Sequence, residues 1–181
     1  DHIKNVIAAQ QTHAKSDSIV EDVAMRELCE NALNIVGDER SASQIEVINE
    51  VPADLVVEND KHRLLDILLN LLSNAIDAID EQKPEIGVLT LRARTLEGSQ
   101  NVEFSVTDNG VGIASEDQEK LFRHGFTTKA NGHGFGLHSC ANAAKVLGGQ
   151  LTLTSPGKGR GATAALTLPR AFTPRARPTQ P

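Results

Sequence analysis

Apolar positions recur along this chain with two different periods, and the switches between them mark out its elements. Ile3, Val6, Ile7 and Gln10 fall at helical spacing and predict an amphipathic helix over residues 1 to about 15. Ser16 and Asp17 interrupt it, and Ser18 is placed to cap a second helix. That helix is expected from about 19 to 36, with Val20, Val23, Ala24, Leu28, Ala32 and Ile35 on one face and Gly37 at its end. Short β-like runs follow at 45 to 48 and 55 to 57, divided by Pro52. The strongest helical pattern runs from about 61 to 79, with Asp60 as its cap and Pro84 beyond its end.

Alternation then predicts strands at 88 to 94 and 102 to 107, joined at Glu97-Gly98-Ser99 as a hairpin. A polar stretch from about 113 to 134 holds one short helix near 116 to 122. A helix is expected from about 135 to 147, closed by Gly148 and Gly149. Strands at 151 to 154 and 162 to 168 flank the turn from Pro156 to Gly161. From Arg170 onward the chain is rich in Pro and Arg and is expected to be disordered. Helices mixed with hairpin-linked antiparallel strands predict an α+β fold, a two-layer α/β sandwich.

Composition narrows the function classes. The 181 residues suit one domain with a small appendage. A net charge of -6 argues against a nucleic-acid partner, and aromatics at 3%, all Phe, give no base-stacking platform. Cys29 and Cys140 read as free thiols of a reducing compartment, not as a disulfide framework. No apolar run approaches the roughly 20 residues of a membrane span, and no signal-peptide pattern is present. A cytoplasmic location without direct membrane contact is expected. The chain does not open on Met and is expected to be a piece of something longer.

Three stretches carry candidate chemistry. On the strongest helix, Asp66, Asn70, Asn74 and Asp77 fall three or four residues apart, opposite a face formed by Leu65, Leu68, Leu72, Ile76 and Ile79. Asn is a poor helix former, so two of them one turn apart need a reason. An amide oxygen that ligates Mg²⁺ is one, and a solvated polar face is the other. Asp108-Asn-Gly110-Val-Gly112 ends a strand. There a carboxylate can accept from an adenine amino group while the glycines let backbone approach the base, or the stretch is an ordinary turn. Gly132, Gly134 and Gly136 alternate ahead of a helix. The pattern is neither the dinucleotide fingerprint nor a P-loop, but it offers bare N–H groups that favour an anion; the alternative is a loop whose glycines only permit tight turns. His133 and His138 flank that stretch and could touch a phosphate, although a loop histidine is usually just solvated.

In this order, these stretches resemble the sequence boxes of two-component sensor histidine kinases. Asn70-x-x-x-Asn74-Ala resembles the N box, Asp108-x-Gly-x-Gly the G1 box, and Phe122 with Phe126-Thr-Thr-Lys129 the F box. Gly132-x-Gly-x-Gly136-Leu resembles the G2 box, and Gly161-Ala-Thr163 the last glycine-threonine element. The match covers roughly residues 22 to 169 and places the chain among the Bergerat-fold ATPases, which also include gyrase and MutL.

The resemblance implies ATP and Mg²⁺ as cofactors. Asn74 would be the metal ligand, with Asn70 near the phosphates and Lys129 as a further phosphate contact, the three forming the catalytic set. Asp108 would read the adenine, helped through water by Thr163, with Gly110 and Gly112 lining the base pocket. Gly132, His133, Gly134, Phe135, Gly136 and Leu137 would bind the cofactor from a lid spanning about 113 to 134 and the turn after it. Hydrolytic members carry Glu at the position of Asn70; an amide cannot act as a base, which favours a kinase over an ATPase.

One expected feature is missing. No histidine here stands in the acceptor context of these kinases, and residues 1 to 15 look like the end of the dimerisation hairpin that would carry it. The implied organisation is a hairpin end at 1–15, an ATP-binding catalytic domain at 16–169 and a tail at 170–181. The implied partners are a histidine-containing dimerisation domain of the same parent, a homodimer, and a response regulator; membrane anchoring of the parent is left open. The rival readings are another Bergerat-fold ATPase or serine kinase, and a non-catalytic nucleotide-binding module.

Overall fold

Alternation of element types along the chain builds one sheet, one small strand pair and a helical layer. The structure is a computed structural model and describes residues 19–37, 44–118, 120–122 and 136–171. In chain order the elements are β1 (Val20–Ala24), α1 (Met25–Gly37), β2 (Ile45–Glu50), β3 (Val56–Asp60), α2 (Lys61–Gln82), β4 (Gly87–Thr95), β5 (Asn101–Asp108), α3 (Ser115–Gln118), α4 (Gly136–Val146), β6 (Gln150–Thr154) and β7 (Ala162–Pro169). The five-stranded sheet has the order β2-β4-β5-β7-β6. Its β2–β4 pair is parallel and the other pairs are antiparallel, while β1 and β3 form a separate antiparallel pair.

Strand parity sets what each face of the sheet meets. Leu89 and Leu91, Val102, Phe104 and Val106, and Leu166 and Leu168 point to one face and are buried. Against them lies α2, whose Leu64, Ile67, Leu68, Leu71, Leu72, Ile76 and Ile79 are buried as well. Burying each such side chain contributes about 1.5–3 kcal/mol. The helices pack against α2 from both sides, α1 through Leu28, Cys29 and Ala32 and α4 through Cys140 and Ala144. The predicted two-layer α+β sandwich is the fold observed.

Asp60 starts α2 as expected: its carboxylate accepts from Arg63 N and Arg63 Nε, each at 3.1 Å. At the other end Lys83 takes a left-handed conformation (φ 52°) and donates to Ile79 O, ahead of Pro84. Next to the cap, the buried Asn59 side chain accepts from Asp60 N and donates to Leu147 O, tying β3 to the end of α4.

The second predicted helix starts too early. Residues 20–24 are β1, which pairs with β3 so that Val23 stands opposite Val57, both buried, while Glu21 and Asp22 face outward. Ile35, expected on the buried face, is 42% exposed. Of the short helix expected near 116 to 122, the described residues are helical over Ser115–Gln118, while 120–122 form a turn. Arg170 and Ala171, expected in a disordered tail, belong to the fold: Glu58 N donates to Arg170 O at 2.8 Å, Arg170 N donates to Gln100 O at 2.9 Å, and Ala171 bridges to Glu58. The helix expected at 1–15 and residues 172–181 lie outside the described residues. Among the described residues, no helix is long and apolar enough to cross a membrane.

Candidate functional site

One stripe of α2 collects the candidate chemistry. Asp66, Asn70, Asn74 and Ala78 follow at four-residue spacing and line one side of the helix over about 18 Å. Asn70 Nδ2 donates to Asp66 O at 2.9 Å, a bond back to the preceding turn that fixes the amide's orientation. Its Oδ1 is thereby turned toward the start of α4, where a Cβ added to Gly136 would lie only 3.3 Å away. A bare α-carbon lets the first turn of α4 sit against that oxygen. Leu137 follows and packs on the core, while Asn74, half-buried, lies one turn along α2.

Two turns beyond Asn70, the same stripe receives the Asp108 turn. Val111 N donates to Ala78 O at 3.0 Å, and a Cβ on Gly110 would come within 2.6 Å of that carbonyl oxygen. Gly110 is therefore required by close approach of two backbones. Parity along β5 puts Asp108 on the same face as the buried Val102, Phe104 and Val106, toward the helices. Its Oδ1 accepts from Gly110 N at 2.8 Å. Burial pushes the Asp108 carboxyl above its ordinary value, and the N–H groups of Gly110 and Ala162 hold it back. Asp66, half-buried at the other end of the stripe, is likewise raised by burial, with His62 opposing.

A second glycine turn braces the first. Gly159 N donates to Val111 O at 2.6 Å and Gly161 N to Gly110 O at 3.0 Å. Gly112 (φ 67°) and Gly161 (φ 68°) are left-handed, and added Cβ atoms there would collide with Gly157 O and Asp108 O respectively. Ser155 Oγ accepts from Ile113 N at 3.0 Å and donates to Gly161 O at 2.6 Å, locking the two turns together. Asn109 anchors the turn to the sheet: its Oδ1 accepts from Val88 N at 2.8 Å and its Nδ2 donates to Ile86 O at 2.9 Å. Ala78, Ser155 and Asn109 had no role in the sequence reading. Asn-Gly is common in ordinary turns and by itself gives no sign of this bracing.

Thr163 stands one position out of register with Asp108. The register pairs Asp108 with Ala162, and Thr163 with Thr107, whose hydroxyls are 3.0 Å apart. Alternation therefore places Thr163 on the face away from Asp108, and the Ala162 N–H is the neighbour of the carboxylate. Lys129, Gly132, His133, Gly134 and Phe135 lie outside the described residues, as does Phe126.

Among the described residues, no group of three or more His, Cys, Asp or Glu side chains could hold a metal ion. What the stripe offers a metal is amide oxygen, which suits a hard ion that draws its remaining ligands from phosphate and water. The missing Cβ atoms at 110 and 136 are taken up by protein, Gly110 lying against the Ala78 backbone and Gly136 against the Asn70 amide oxygen. A cavity of about 550 Å³ opens beside the C-terminal end of α2, lined by Gln44, Ile79, Asp80, Lys83, Pro84 and Gly87, and includes none of these motif residues.

Residues 59–171 match the family described as histidine kinase-, DNA gyrase B- and HSP90-like ATPase, a span that covers the stripe, both glycine turns and α4. The chain belongs to that family. Membership makes it an ATP-binding chain. It is 34% identical over 148 residues to the sensor histidine kinase ZraS of Salmonella typhi, covering 81% of this chain and 30% of the relative. It is 35% identical over 136 residues to the C4-dicarboxylate transport sensor protein DctB of Pseudomonas aeruginosa, covering 74% of this chain and 22% of that one. The chain thus spans less than a third of these curated relatives. Among solved structures, the nucleotide-free catalytic domain of the histidine kinase ThkA superposes with a TM-score of 0.72 at 26% identity, covering 84% of this chain and 99% of that domain. The Bergerat fold expected from the motifs is the family's fold.

Proposed function

We propose that this chain is the catalytic ATP-binding part of a sensor histidine kinase, holding Mg-ATP along the α2 stripe for transfer of its γ-phosphoryl to a histidine outside residues 1–181. The observation that carries the reading is the Asn70 amide, held by Asp66 O with its oxygen toward Gly136. An amide there contacts phosphate or metal without deprotonating water, so the phosphoryl group is retained for another nucleophile.

In this reading Asp108 accepts from the adenine amino group, and the turn shaped by Gly110 and Gly112 lines the base pocket. Asn74 is the metal ligand. Magnesium held there would supply neutralisation of the phosphate charge. Gly136 and the backbone N–H of Leu137 face the phosphates from α4. Lys129, Gly132, His133, Gly134 and Phe135 are assigned to the phosphate side on the resemblance of their motifs. The acceptor domain, a dimeric parent and a downstream response regulator belong to the same proposal.

The test is a polypeptide extended upstream through the two helices expected to carry the acceptor, incubated with γ-labelled ATP and magnesium. Acid-labile, alkali-stable label on a histidine is the expected product. No phosphohistidine, with rapid release of inorganic phosphate, would overturn the kinase assignment in favour of a hydrolase. Binding without either product would make the chain a nucleotide-binding module only.

A further inference from the structure

His138 stands two residues into α4, and both of its ring nitrogens are engaged by protein. Nδ1 lies 3.0 Å from Phe122 O, and Nε2 lies 3.0 Å from Asn142 Nδ2. With the Asn142 amide donating to Nε2, the ring carries its proton on Nδ1 and donates it to the Phe122 carbonyl. The imidazole is thus turned to the protein in both directions.

The two ends of that contact are unequal. Phe122 packs on the hydrophobic core directly after the buried Leu121, so its carbonyl is a fixed point. The first turn of α4 is the less constrained partner. It begins at a glycine, its leading N–H groups have no acceptor within the helix, its Leu137 packs on the core only partly buried, and the fully buried anchors Cys140 and Ala144 come one and two turns later. Gly136 in that first turn is the residue set against Asn70 Oδ1.

We propose that His138 is a positioning residue for the phosphate end of the site: its Nδ1–H bond to Phe122 O fixes the first turn of α4, and with it the placement of Gly136 against Asn70. The proposal rests on the nucleotide site described above and adds a determinant of phosphate recognition. His138 itself touches no nucleotide in this account. Loss of the bond leaves the adenine end, built from Asp108, Gly110 and Ala78, intact.

The test compares ATP and adenosine affinities of the 181-residue chain, by displacement of a fluorescent nucleotide, for the wild type, His138→Ala, His138→Gln and His138→Asn, with Asp108→Asn as reference. The Asn side chain puts a donor nitrogen where Nδ1 stands, whereas that of Gln reaches the Nε2 position. We expect His138→Ala and His138→Gln to lose about three- to tenfold in ATP affinity, the range of one hydrogen bond, with adenosine affinity within about twofold. His138→Asn should restore ATP affinity to near the wild-type value. Wild-type ATP affinity in His138→Ala, or equal losses of ATP and adenosine affinity, would overturn the proposal, because a general structural defect weakens both ligands alike. If His138→Asn is as weak as His138→Ala, the Nδ1 bond is not the cause. If Asp108→Asn also binds ATP normally, the nucleotide-site reading itself fails; a loss confined to Asp108→Asn rejects the His138 proposal alone.

Discussion

Asn70 and Gly136 meet across the seam between α2 and α4: a single added Cβ on Gly136 would stand 3.3 Å from Asn70 Oδ1. The first consequence concerns Gly136→Ala. Gly136 begins a helix and is not among the left-handed residues, so alanine fits its backbone and gains up to about 0.5–1 kcal/mol of helix preference. The methyl group presses on the Asn70 amide. The expected outcome is an unchanged or raised melting temperature together with weaker ATP binding, read by thermal unfolding and equilibrium titration of the same sample.

Gly110 and Gly161 predict the opposite balance. A methyl at 110 would overlap the Ala78 backbone, and one at 161 would overlap Asp108 O on a left-handed residue. Neither neighbour is a flexible side chain, so the turns must move. Gly161→Ala and Gly110→Ala should each destabilise the fold by about 1–3 kcal/mol or more, measured by urea unfolding, and lose nucleotide binding with it.

Asn70→Glu tests the chemistry of the amide. A carboxylate at this position can act as a base toward water, so ATP hydrolysis should rise above the wild-type rate. Phosphate release over hours, with ATP affinity measured alongside, reads the change. A wild type that already hydrolyses ATP rapidly would contradict the role assigned to Asn70.

The two thiols give a pH signature. Burial pushes both Cys29 and Cys140 from 9.0 to about 12, with Glu30 adding at the first and Asp66 at the second. Because the folded values are raised, the stability from keeping the thiols neutral is fully present below pH 9.0 and is lost as pH climbs toward about 12. The melting temperature should therefore fall between pH 8.5 and 10.5, less steeply in the Cys29→Ala, Cys140→Ala double variant. Neither thiol should react with a disulfide reagent at pH 8 until denaturant is added.

Much of this architecture is legible in the chain because it rests on local signals. The α2 pattern, its Asp60 cap and the β4–β5 and β6–β7 hairpins follow from periodicity and turn residues, and the structure keeps them. The failures are tertiary. Val20, Val23 and Ala24 run on into Met25 and Leu28 at helical spacing, so only the pairing of β1 with β3 separates strand from helix. The role of Thr163 is implied by the resemblance of its motif, and strand register, which has no local signal, turns its side chain to the face away from Asp108. The brace that Ser155 forms between two glycine turns is likewise invisible until residues 113 and 161 are brought together.

The most direct test of the account is the ATP affinity of Asp108→Asn beside the wild type, measured calorimetrically with magnesium present. The variant removes a charge whose burial raises its pKa above 3.8, so at neutral pH the fold should lose no stability. Adenine loses its charged acceptor, a change of about 1.5–3 kcal/mol, and affinity should fall about 10- to 150-fold with the melting temperature of the free protein held or raised. Equal affinity for the two proteins would show that adenine does not lie against Asp108, and the proposed site would have to be abandoned.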